Sequence, residues 1–228
     1  MLVAPALLAL AAVLPRGGGM PATLTRQVTL TRHTQPCLCV STSATTNLTA
    51  AGLSLPRSGG AMVRGSEELM CPKAHGTSPH AVPRLLRWDV RRSEADRVCS
   101  FNRHFAEASG AYRFDSTFLR EIDRDSPTVF YDSVSGKPLF VAPIGRTLDA
   151  FLAESDAHGW PSFRSAEVVW ENVRVLPDGE TVSVDGTHLG HNIPDSTGFR
   201  FCINLCSVAG MPPVVPTEDA VRSELRKR

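Results

Sequence analysis

From Cys99 onward the apolar positions fall into short blocks separated by turn residues, and each block carries a period. Val129-Phe130-Tyr131 and Leu139-Phe140-Val141 are β-rich and flank the turn-rich residues 132–138, which predicts a hairpin. Residues 147–155 place Leu148, Phe151 and Leu152 at helical spacing and predict a short helix. Residues 167–175 and 180–184 alternate on either side of Leu176-Pro177-Asp178-Gly179, where Asp178-Gly179 signals a second hairpin. Residues 199–208 are again β-rich. Residues 114–119 read as a strand or the start of a helix. Residues 85–98, charged with spaced apolar positions, read as a short helix or an arm wrapping the domain. The sum is a mainly β domain of antiparallel strands with one or two helices.

Charge divides the chain differently. Residues 1–66 hold five arginines, no lysine and no acid, a segment of +5, whereas the rest carries −4 in a chain of net +1. Such asymmetry marks segments with different tasks. An Arg- and Ser-rich, acid-poor leader has the composition of an organelle transit peptide, for a plastid or mitochondrion; the apolar run from Met1 to Leu14 instead fits the core of a secretory signal. That run is shorter than the ~20 residues a membrane span needs. The division expected is a leader at 1–66, a linker or arm at 67–98, a folded domain at 99–212 and a charged tail at 213–228. The near-neutral balance gives no reason to expect a nucleic-acid or membrane partner.

The six cysteines are Cys37, Cys39, Cys71, Cys99, Cys202 and Cys206. They are too few for a disulfide scaffold at this length, and none forms a CxxC pair of the kind a zinc knuckle uses. Three clusters concentrate reactive side chains: Gly159-Trp160-Pro161-Ser162-Phe163, then His188-Leu189-Gly190-His191 with Asp195, then Arg200-Phe201-Cys202-Ile203-Asn204. On a strand, Arg200, Cys202 and Asn204 share one face while Phe201 and Ile203 face a core. A thiol beside a cation and an amide is poised for chemistry, because positive charge favours thiolate. The competing reading of Cys202 is a buried structural cysteine, equally common for this residue type. His188 and His191 are equally readable as surface histidines, and Trp160 as packing.

Several of these motifs occur together, in an order and spacing that resemble the B-type methionine-R-sulfoxide reductases. The match runs from Val129 to Val208 through Gly136-Lys137-Pro138-Leu139-Phe140, Gly159 to Phe163, His188 to His191 with Asp195, and Gly198 to Asn204. The resemblance implies a β-tent, two antiparallel sheets with helices wrapped outside. It implies reduction of methionine-R-sulfoxide in proteins or peptides, with Cys202 as nucleophile, Trp160 and Phe163 binding the substrate, and His188, His191, Asp195, Arg200 and Asn204 as the polar shell. Either histidine would donate the proton that the departing oxygen needs, with Asp195 orienting it. The resulting Cys202 sulfenic acid would be returned to thiol by thioredoxin or a similar dithiol. A binding module of the same fold that holds an oxidised side chain without turnover is the alternative.

Three departures qualify the resemblance. The positions where many members hold zinc carry Asp132, Ser135, Val182 and Asp185, so no metal and no other cofactor is expected. The residue before Gly159, a common place for a resolving cysteine, is His158; Cys99 is the candidate to take that role. Residues 99–128 match poorly, and Asn102, Arg103, His104 and Glu107 within them read as a solvated face.

Overall fold

A computed structural model describes residues 55–213. Most of the expected leader and the charged tail therefore lie outside the described residues. Seven strands form two antiparallel sheets. β1 (Thr128–Tyr131) and β2 (Pro138–Ala142) make a two-stranded hairpin. The second sheet has five strands: β3 (Ser162–Arg164), β4 (Val173–Val175), β5 (Glu180–Ser183), β6 (His188–Asn192) and β7 (Arg200–Ile203), in spatial order β3-β7-β6-β5-β4. The architecture is mainly β, as the pattern predicts. The helices exceed the one or two expected: α1 (Arg92–Ser100) and α4 (Leu148–His158) are accompanied by the single turns α2 (Ala111–Phe114) and α3 (Phe118–Glu121). Among the described residues, no helix is long and apolar enough to cross a membrane.

The core lies where the hairpin meets the larger sheet. Phe140 stacks on Phe163 with ring centroids 4.3 Å apart, and Phe130 meets Phe163 edge-on at 4.9 Å. Phe118, Phe151 and Phe201 are also fully buried around them. Each such ring contributes about 1.5–3 kcal/mol by leaving water, and favourable ring pairs add about 0.5–1.5 kcal/mol. Leu139-Phe140-Val141 is an unbroken apolar run because both sides of β2 are covered and all three residues are buried.

α4 forms for local reasons. Thr147 caps it by accepting the Ala150 N–H at 3.2 Å, Phe151 anchors it in the core, and Gly159, at φ 87°, ends it while donating to the Ser155 carbonyl. That exit throws the chain directly into Trp160 and β3, which pairs with β7 so that Ser162 lies opposite Cys202.

Three expectations need correction. The alternating residues 167–175 are strand only at 173–175. Glu167 instead sits fully buried in a 3-10 turn, where Arg146 and the Arg164 and Ile144 N–H groups satisfy its carboxylate. β7 stops at Ile203 and the chain turns into a second 3-10 turn at Leu205–Ser207, so residues 199–208 are not one strand. The boundary at residue 66 falls inside ordered structure, because Val63 and Gly65 exchange backbone hydrogen bonds with Val175 along β4. Of the two readings of residues 67–98, the structure shows the arm, which carries Trp88 into the core.

The turn of the first hairpin is tied to the loop between β5 and β6 by hydrogen bonds. Asp132 accepts from Thr187 Oγ1 at 2.9 Å, from the Val134 N–H and from Ser135 Oγ, and Lys137 pairs with Asp185 at 2.9 Å. Burial raises the Asp132 carboxyl above its ordinary range against those donors.

Candidate active site

A cavity of about 200 Å³ opens beside Cys202, walled by Trp160, His188, His191, Ile193 and Asn204 and bordered by His104, Phe105 and Ala106. The register of β6 and β7 sets His191 directly opposite Cys202, which brings their Cβ atoms to roughly 5 Å. On a regular strand, His188 and His191, three residues apart, would face opposite sides. They do not, because β6 carries a bulge. Gly190 pairs with Thr181 and His188 with Val182, leaving Leu189 as the extra residue. The two imidazoles consequently meet edge-to-face at 5.6 Å. Gly190 is required at this bulge, since a Cβ there would lie 2.1 Å from the Cys202 carbonyl oxygen.

His188 is buried, and its Nδ1 lies 2.6 Å from Glu180 Oε1. Glu180, itself buried, takes Arg103 on its other oxygen, with Nε at 2.9 Å, and Arg103 continues to Glu67. Burial would raise the Glu180 carboxyl, but His188 and Arg103 outweigh it and hold the group below the ordinary range. His191 is shifted down, first by burial and then by the neighbouring His188. A neutral His191 at pH 7 follows. The Cys202 thiol is pushed up by burial, while the Arg200 guanidinium pulls the other way. The resting sulfur is a thiol, and its deprotonation needs a base at hand.

The structure gathers Cys202, Trp160, His188, His191 and Asn204 around one cavity. Other expected residues stand elsewhere. Phe163 is fully buried in the aromatic core and does not line the cavity. Asp195 does not touch either imidazole; it pairs with Arg164 at 2.8 Å and approaches Arg200 at 3.8 Å, and Arg164 holds its carboxyl well below the usual range. Arg200 is buried at the edge of the site, and its Nε and Nη1 make no hydrogen bond among the described residues. Cys99 is sealed with Cys206 in a separate apolar cluster with Val82, Ala95, Val98 and Val134. Its Sγ bonds only to Ser207 Oγ at 3.6 Å and the Cys206 carbonyl, and burial raises both thiols far above their ordinary value. A fully buried thiol that does not line the cavity is not placed to attack Cys202.

Residues 102–107 are the largest omission from the sequence reading. His104, Phe105 and Ala106 are exposed, so the solvated-face reading holds for His104 but fails for the half-buried Arg103 and the buried Glu107. Arg103 completes the Glu180–His188 chain, His104 and Phe105 border the cavity, and Glu107 is buried. Burial raises the Glu107 carboxyl to about 7, against two backbone N–H bonds. A signal for Glu180 did exist: it shares the apolar parity of Val182 and Val184, and an acid on that parity must be buried with a partner. No protein-family model matches the chain.

Proposed function

We propose that the protein reduces methionine-R-sulfoxide in proteins or peptides through Cys202, as a zinc-free member of the B-type reductases in a β-tent. The observation that carries this reading is the position of the thiols. Of the three free thiols among the described residues, Cys202 alone is partly exposed, and it lies in a cavity with an indole on one wall and two imidazoles on another.

The chemistry uses that arrangement directly. His191, neutral and opposite the sulfur, takes the Cys202 proton as the sulfur attacks the electrophilic sulfoxide sulfur. The sulfoxide S–O bond breaks and the oxygen passes to Cys202, which is oxidised to a sulfenic acid. The proton goes to that oxygen, and methionine leaves in its reduced form. His188, fixed through Nδ1 by Glu180, keeps its other ring nitrogen free to hydrogen-bond the oxygen as charge develops. Trp160 packs the methyl group, and a flat apolar wall on one side only makes the two epimers unequal. An external dithiol such as thioredoxin then attacks the sulfenic sulfur, releasing water and forming a mixed disulfide. Its second thiol displaces Cys202 and leaves as the disulfide.

The test is reduction of separated R and S sulfoxide epimers of a methionine peptide by wild type and Cys202→Ser, with mass analysis of every cysteine after one turnover. The reading expects R-selective reduction, an added oxygen on Cys202 alone, and no product from the serine variant. Equal turnover by Cys202→Ser would overturn it. A wild type that binds the sulfoxide but never reduces it would establish the binding-module alternative.

A further inference from the structure

Glu107 does not line the cavity, yet it bonds two residues of its wall and the turn that follows β7. Its carboxylate accepts the Leu205 N–H at 2.5 Å on one oxygen and the Cys206 N–H at 3.0 Å on the other. These are the first donors of the 3-10 turn that follows β7, immediately after the strand carrying Cys202. Its main-chain N–H donates to Asn204 Oδ1 at 2.9 Å, and its main-chain carbonyl accepts Trp160 Nε1–H at 3.0 Å. The other end of the Asn204 amide donates to the Leu189 carbonyl, at the β6 bulge. The residue just before Glu107, Ala106, already borders the cavity.

The chemistry of the side chain matters here. Two adjacent N–H groups at the start of a helical turn need acceptors in a place that water does not reach, and leaving either unmet costs free energy. A carboxylate offers one oxygen to each. A glutamine offers one oxygen and turns an NH2 toward the second N–H. An alanine offers neither and releases residues 102–107 from the turn.

We infer that Glu107 is a positioning residue that fixes the Trp160 indole and the Asn204 amide over Cys202, and so sets how a methyl sulfoxide lies against the thiol. The inference rests on the reductase reading for its functional consequence, but not for its structural one. Nothing in the sequence distinguishes Glu107 from the polar residues around it.

The experiment uses the full chain with Glu107→Gln and Glu107→Ala. Hydrogen exchange of the Trp160 indole N–H, assigned by its loss in Trp160→Phe, reads the clamp without any assay of activity. The inference expects that exchange to rise about tenfold or more in Glu107→Ala and by less in Glu107→Gln. With a peptide methionine-R-sulfoxide, it expects kcat/KM to fall by about tenfold or more, as a small displacement of reacting groups produces. Iodoacetamide alkylation of Cys202, which needs no pose in the cavity, should stay within about twofold of wild type, since it depends on the exposure and thiolate fraction of the sulfur and not on how the indole and amide lie. If Glu107→Ala does not fold, Glu107→Gln alone decides. Unchanged indole exchange in a folded variant overturns the inference. Faster exchange in a protein that reduces neither epimer sinks the reductase reading and leaves the clamp standing. Faster exchange with wild-type kcat/KM overturns the functional part.

Discussion

Replacing Glu180 probes the most deeply buried charge of the site. Its side chain is 2% exposed and joins His188 to Arg103. Truncating one member of a sealed pair costs about 3–5 kcal/mol, because the partner is left charged and dry. Arg103 is 29% exposed and keeps Glu67 as a second partner, so water recovers part of that loss; Glu180→Ala should cost about 2–4 kcal/mol. Glu180→Gln keeps the shape and one acceptor, and should cost about 1–2 kcal/mol. Urea unfolding reads both. With slopes of about 1–3 kcal/mol per molar, a 3 kcal/mol loss lowers the midpoint by ~1–3 M. The pH dependence has a fixed sign. The Glu180 carboxyl is depressed below 4.5 in the fold, so its stabilisation is present above 4.5 and disappears as pH falls through the folded value. The gap between wild type and Glu180→Gln should therefore be widest near neutrality and close as pH falls below 4.5. A midpoint for Glu180→Ala equal to wild type at pH 7, or a gap that widens in acid, would refute the claim that this carboxylate anchors His188. The same variants should reduce sulfoxide slowly even where folded, because His188 loses the bond that fixes its ring.

Phe163→Ala should destabilise by about 3–5 kcal/mol in urea melts, since the ring stacks on Phe140 and meets Phe130 and Phe151; a loss under ~1 kcal/mol would mean that the hairpin does not rest on this ring. Gly190→Ala sets a methyl 2.1 Å from the Cys202 carbonyl, so it should cost about 1–3 kcal/mol or more and loosen β6 on β7, seen as faster amide exchange at Asn204, whose N–H donates to the Leu189 carbonyl at 2.9 Å. The rate of Cys202 alkylation by iodoacetamide should rise with pH along a titration above the ordinary thiol value, and Arg200→Gln should move it higher still by removing the cation that opposes burial; a downward move would reverse the role assigned to Arg200.

How far the sequence reached can be seen residue by residue. The two hairpins, the helix beginning at Thr147 and the likeness of the Cys202 strand to a reactive site were legible because each rests on a local period or a local cap. Phe163 was misplaced for a related reason. Its motif neighbours Trp160 and Ser162 flank the cavity and β7, but strand parity turns its own ring into the core. Asp195 lies near the histidines in sequence, whereas the imidazole partner is Glu180, eight residues before His188 across a strand pair.

The chain by itself determined which segments extend, which coil and where they turn, since those preferences act over a few residues at a time. It also placed Cys202 among polar neighbours on one face of a strand. Only the tertiary structure decided that His188 and His191 look the same way, because one extra residue in β6 reverses the parity. Only it brought Glu107 to Asn204, 97 residues apart, and sealed Cys99 beneath the turn that follows Cys202. Buried polar groups must find partners wherever the packed chain supplies them, and that obligation has no signature in local spacing.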